Sequence, residues 1–431
     1  MKLFRQLVTA SLILPASLLV ACSSSSDSAS DESPSDPGVA VALQEEGTGV
    51  HTNAVTEAPT GFDNLTNGNV AQTDMDASRK TFETPEVFTD GIGPCFNNIS
   101  CVSCHQSPFG QTGTGSQITE LRAGHFNGTT FTDHPGGSLI NDRATDRAIQ
   151  EHVLSGNEVQ TLRLTLSIAG DGFVEAIDSN TLQAISTNQP AGQRGTLIQV
   201  PVLEAGGTVR AGRFGWKNQN SSLLSFAADA YLNEMGITNR LLDTENTSNG
   251  TVVQGDTRYD GKADPKGIGE DDENDIDEFT EFMRAMKAPP RGPITAQVTA
   301  GQTTFTQIGC AVCHVATITT APAGTVINAG QLTVSTALGD KNIHPFGDFL
   351  LHDVGTNEGI VQNGGQGTRN QVRTAPLWGI GARTRFMHDG NSLTVANAIA
   401  RHGVQGATAA TNFANLSAAN QQNVLAFIFS L

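Results

Sequence analysis

The sequence predicts a mainly α fold, with two similar domains of modest helices joined by long loops. Three observations carry that expectation. Two short units, Cys101-Val102-Ser103-Cys104-His105 and Cys310-Ala311-Val312-Cys313-His314, each follow a Phe at the same distance, Phe96 and Phe305. Self-similarity of this kind reads as an internal duplication. Apolar residues at helical spacing follow each unit, at Ile276, Phe279, Phe282, Met283 and Met286, then at Val424, Leu425, Phe427, Ile428 and Leu431. Forty-six glycines, with many Thr and Asn, supply long loops.

The chain opens with Met1-Lys2-Leu3-Phe4-Arg5 and an apolar run through Val20. Basic residues before a short apolar stretch form a secretory signal, here residues 1–21. Leu19-Val20-Ala21-Cys22 resembles the lipobox of bacterial lipoproteins. The resemblance implies a lipid on Cys22, and Ser23 after it implies the periplasmic side of an outer membrane. Such a chain is anchored to the membrane and does not span it. Residues 22–81 are poor in apolar side chains and read as a flexible tether.

The first folded domain is expected over residues 82–291 and the second over 292–431. The boundary lies near Arg291-Gly292, where Pro289-Pro290 stops the preceding helix. The acidic run from Gly269 to Asp275 reads as a solvated loop. Ser417 is a candidate N-cap for the last helix. Forty-three acidic residues against 25 basic leave a formal charge of -18. That charge argues against nucleic acid as a partner and permits a basic redox protein.

The Cys-x-x-Cys-His spacing has a mechanical reason. Two thiols three residues apart can each add to one vinyl group of a haem, and the adjacent His falls under the iron. Cys101, Cys104 and His105, then Cys310, Cys313 and His314, would hold two covalent haem c groups. A thioredoxin-like pair needs a parallel-sheet context that the pattern lacks. A zinc site would leave both histidines unexplained. Cys95 has no partner in this scheme.

Further runs carry a family resemblance. They are Gly93-Pro94-x-Phe96-Asn97, Gly170 to Ile177, Gly212-Arg213-Phe214-Gly215-Trp216-Lys217, Ile343 to Gly355, Arg373 to Gly379, and Phe386-Met387-His388-Asp389-Gly390. Over about residues 85–431 the chain resembles the dihaem oxidoreductases, sometimes labelled "thiol oxidoreductase". These are related to bacterial dihaem cytochrome c peroxidases and to MauG-type maturation enzymes. The resemblance implies two cytochrome c-like haem domains, with the last helix crossing the first helix of its domain.

It also implies roles for single positions. Trp216-x6-Leu223 leading to Glu234-Met235-Gly236 matches the peroxidase pattern. Trp216 would relay electrons between haems, and Glu234 would be the distal acid over the first iron. Fourteen residues after His388, where peroxidases supply a Met ligand, stands His402. A second imidazole lowers a haem potential relative to Met. Met387 is a rival ligand. For the first iron the second ligand is His125, His134, His152 or none, with His125 nearest to where peroxidases place a removable His. Two functions follow: a peroxidase-like oxidoreductase fed by a small redox protein or a quinol-linked donor, or an electron carrier with both irons six-coordinate. A thiol-disulfide enzyme would need free cysteines in the two units.

Overall fold

A computed structural model describes residues 50–431 apart from Ser116. The signal, Cys22 and the serine-rich start of the tether lie outside the described residues. The first unit is framed by two crossed helices, Gln72–Glu83 and Asp275–Ala285. Met75, Ser78 and Phe82 fall on one face at spacings of three and four and are buried. They meet Phe279 and Phe282, with the Phe82 and Phe282 rings 5.1 Å apart. The second helix is started by the Asp271 carboxylate, which accepts from the Asp275 and Ile276 amides at 2.7 and 3.3 Å.

The second unit repeats the frame with Ala296–Gln307 crossed by Ala418–Phe429. Thr295 and Ser417 cap these helices, each hydroxyl accepting a backbone amide of the first turn. At the crossing a side chain on Gly301 would stand 1.9 Å from the Asn423 carbonyl oxygen, so only glycine lets the helices touch there. The Phe305 and Phe427 rings are 5.1 Å apart.

The two frames identify the true repeat. Phe82 lies 6.1 Å from the His105 ring at 56°, and Phe305 lies 6.0 Å from the His314 ring at 56°. The counterpart of Phe305 is therefore Phe82, not Phe96. Phe96 sits in a two-residue strand paired with Arg143–Ala144. The equal spacing of Phe96 and Phe305 from their cysteines is coincidental, because the first unit has a longer segment between helix and motif.

That correction moves the start of the fold. Residues 56–81, expected in the tether, are ordered against the core. Thr56–Glu57 adds as a parallel strand beside Lys341–Ile343. The Gln72–Glu83 helix buries Met75 completely. Few apolar residues suffice here because each is placed on the inward face.

The mainly α expectation does not hold: 31% of the described residues are helical and 16% are strand. The stretch after the first motif, expected as loop, forms a four-stranded antiparallel sheet. Thr119–Phe126 pairs with Phe131–Asp133, Leu139–Ile140 and Val159–Leu164. Further two-stranded pairs include Leu351–Asp353 with Gln371–Arg373. Such strands are too short for a clear alternation signal, and cross-strand pairing specifies them more than local propensity does.

The larger core gathers around the first helix pair and takes Ile318, Ile343, Phe349 and Trp378 from beyond residue 291. A second core lies around the other pair. The acidic run is less solvated than expected, since Glu270 and Asp271 are buried. No helix among the described residues is long and apolar enough to cross a membrane.

Candidate functional site

Each repeat opens a cavity beside its motif. The first is walled by Phe82, Cys101, Cys104 and His105. The second is walled by Phe305, Cys310, Cys313 and His314. All four motif cysteines are free of disulfides. Burial pushes the Cys104 thiol up to about 11 and the Cys310 thiol up to about 12. Reactive thiol-disulfide cysteines have depressed values, so these sites do not resemble such a centre. Burial also pushes His105 and His314 down to about 4, which keeps the imidazoles neutral and able to bind a metal. The Phe346 carbonyl lies 2.9 Å from His314 Nδ1, leaving Nε2 for the cavity.

Trp216 lines both cavities. Its indole N–H donates to the Leu164 carbonyl at 2.7 Å, and its ring meets the His388 ring edge-on at 6.1 Å. Arg373 lines both cavities too, and Arg383 lines the second. Burial pushes both guanidinium groups down to about 10, and the Nε of each has no hydrogen-bond partner. Buried cations with unpaired N–H groups call for an anionic ligand.

A family described as "Di-haem oxidoreductase, putative peroxidase" matches residues 110–431. The chain belongs to the di-haem oxidoreductase family. Among solved structures it is similar to hydrazine synthase of Kuenenia stuttgartiensis pressurised with xenon, at 14% identity and a TM-score of 0.35, covering 92% of this chain and 100% of that one. It is also similar to a MauG-like protein associated with microbial copper homeostasis, at 13% identity and a TM-score of 0.38, covering 88% and 93%. No curated protein matches.

The residues of this di-haem oxidoreductase fit its haems. Each cavity offers a neutral imidazole on one wall and an apolar Phe beside it. Arg383 and Arg373, the latter already beside Asp171, would suit haem propionates. In the first cavity, Glu234 stands with Glu120, Arg122 and Asn97. The Asn97 amide donates to Glu234 Oε2 at 2.6 Å, and Arg122 Nε donates to Glu120 Oε1 at 2.8 Å. Burial alone would raise Glu120, but the Arg122 guanidinium holds it down to about 2. Burial and the Glu120 charge push Glu234 well above the carboxylate range. Of the two carboxyls, Glu234 is the one on which a proton is favoured, because Glu120 has the closer guanidinium.

Sequence reasoning reached Glu234 but missed Glu120 and Arg122. They are two apart on the strand Thr119–Phe126 and so share a face, which is turned to the cavity. The same period turns His125 to the opposite face. His125 is exposed, lies 2.8 Å from Glu158 and does not line the cavity. His134 accepts from the Leu154 amide, and His152 is exposed; neither lines the cavity. Among the described residues lining the first cavity, His105 is the only histidine.

The second cavity brings His402, Met387 and His388 together with His314. His402 is delivered by the helix Val395–Ala400. His402 follows its end, and its Nδ1 lies 2.8 Å from the Ala398 carbonyl, which leaves Nε2 free to ligate. His352, in the sequence no more than a member of a family run, lies 2.8 Å from Asp348 and 3.8 Å from the Cys313 sulfur.

Proposed function

We propose that this di-haem oxidoreductase reduces peroxide. Both haems would be joined to the chain as c-type groups through Cys101 and Cys104 and through Cys310 and Cys313. His105 would be the proximal ligand at a substrate-binding first site, and His314 with His402 would hold an electron-entry second site. When bound, haem iron supplies reversible one-electron chemistry and an open position for an oxygen ligand. The observation that carries the reading is the placement of Glu234, held by the Asn97 side-chain amide, in the cavity of His105, whose described lining offers no second histidine.

The residues then have distinct tasks. Peroxide reduction takes two electrons and two protons and yields two waters. Glu234 holds a proton where the O–O bond would break, and Asn97 fixes its carboxyl. Glu120, held ionised by Arg122, disfavours loss of that proton from Glu234, and solvent can restore it to Glu234 after transfer. Trp216 spans the two cavities and would shorten the electron path from the second site to the first. A small redox protein or a quinol-linked donor would supply the electrons. The chain would work on the periplasmic side of an outer membrane, held by a lipid on Cys22; its leader and lipobox-like run support that placement.

The test is peroxide-dependent oxidation of a reduced small cytochrome by the two-haem protein, with electron paramagnetic resonance on the half-reduced form. The reading expects turnover and a high-spin signal at one iron. Two low-spin irons without turnover would make the protein an electron carrier instead.

Two substitutions separate the sites. Trp216→Phe should retain both haems and slow electron exchange between them, as read by flash photolysis. Unchanged exchange would leave Trp216 as packing between the cavities. His402→Met should raise the potential of one haem and add a sulfur-to-iron band, because thioether favours the reduced iron relative to imidazole. Unaltered spectra and potentials would shift the role to Met387 or His388, which line the same cavity.

A further inference from the structure

The connection between the helices Leu223–Met235 and Asp275–Ala285 gathers acids away from both haem cavities. Glu245, Asp264 and Glu270 place one carboxylate oxygen each within 4.8 Å of one another. They are not solvated. Glu270 is 1% exposed and Glu245 7%. The Oε1 atoms of Glu245 and Glu270 are both buried and have no hydrogen-bond partner. Glu270 is steered by its other oxygen, which accepts from the Thr238 amide at 3.1 Å. Asp264 accepts from the Thr238 hydroxyl at 2.5 Å. Gly91 leaves room on the remaining side, since a side chain there would stand 2.8 Å from Glu270 Oε1.

Among the described residues, the groups that act most on Glu245 apart from burial are Glu270, Asp264 and Asp260, all negative. Unpaired buried carboxylates are costly, so natural proteins seldom keep them without a partner.

We propose that Glu245, Asp264 and Glu270 form a structural calcium site. An all-oxygen set of carboxylates suits a hard cation. Calcium accepts the irregular, flexible geometry that a long loop gives, whereas magnesium demands near-ideal octahedral ligands. The position explains a use. The Thr238 carbonyl accepts from the Glu270 and Asp271 amides, and Glu234 lies four residues before Thr238. The segment carrying Asn97 hydrogen-bonds to the same helix end, with the Asn97 amide donating to the Glu234 carbonyl at 2.7 Å. An ion at this site clamps the loop to the helix end that carries Glu234.

The experiment uses the full two-haem chain, stripped with EGTA and dialysed into calcium chloride. One calcium ion per chain should be retained by elemental analysis. The melting temperature should rise by a few degrees at millimolar calcium and much less at equal magnesium. The double variant Glu245→Gln, Glu270→Gln keeps the shape of the protonated pair. It should lose the retained calcium and the shift, yet melt no lower than the EGTA-treated parent. No retained calcium and no shift in the parent would overturn the proposal. So would a double variant that retains calcium as the parent does, or an equal response to magnesium.

Discussion

Glu234→Gln should lower peroxide turnover by about 100- to 10,000-fold, the usual contribution of a positioned general acid–base group. Glutamine is nearly isosteric with the protonated carboxyl, so it can still accept from the Asn97 amide. What it lacks is a transferable proton. The parent holds that proton because burial and the Glu120 charge disfavour ionisation of Glu234. The variant should keep both haems and the same melting temperature, which separates a chemical loss from a folding loss. Stopped-flow mixing with peroxide, at matched haem content, is the measurement. Turnover within a few-fold of the parent would remove Glu234 from the chemistry and leave it as a wall of the cavity.

Glu358→Ala should destabilise the fold by about 3–5 kcal/mol, because it strands two buried cations. Glu358 Oε1 accepts from Arg163 at 2.6 and 2.9 Å, and Oε2 accepts from Lys217 Nζ at 3.1 Å. The Glu358 and Lys217 side chains are fully buried. Burial already pushes Lys217 down to about 8, so the loss of its partner would favour the neutral amine or local opening. Lys217 also donates to the Thr368 and Gln371 carbonyls, which fixes the chain next to Trp216. Chemical denaturation of the variant should therefore show an earlier midpoint with a similar slope. Glu358→Gln, which keeps an acceptor oxygen but not the charge, should lose less. A loss below about 1 kcal/mol for the alanine variant would mean that water reaches the cations and that they are not buried in solution.

Much of the site is legible in the amino-acid sequence. The two Cys-x-x-Cys-His units need only local spacing, and each borders its own cavity. The resemblance to dihaem peroxidases singles out Trp216 and Glu234, and both line the cavity of the first unit. The helices ending at Ala285 and Phe429 follow from apolar period and from Pro and Ser signals. The strand Thr119–Phe126 does not. Its Glu120 and Arg122 read as ordinary surface charges, although their spacing of two is the one sequence signal that could pair them. His125 is equally suitable by distance along the chain and faces the wrong way.

Local periodicity and capping residues determined several of the helical segments, the motif spacing marked the two Cys-x-x-Cys-His units, and the family resemblance pointed to Trp216 and Glu234. The first two depend on residues a turn or two apart. Tertiary structure alone decided that Phe82 rather than Phe96 lies beside His105, that residues 56–81 belong to the fold, and that the chain is a mixture of helix and sheet. It alone brought Glu120 to Glu234 and Glu245 to Glu270. Each of these contacts closes a long loop, and which loops close is set by total burial and strand register, which no short window of sequence encodes.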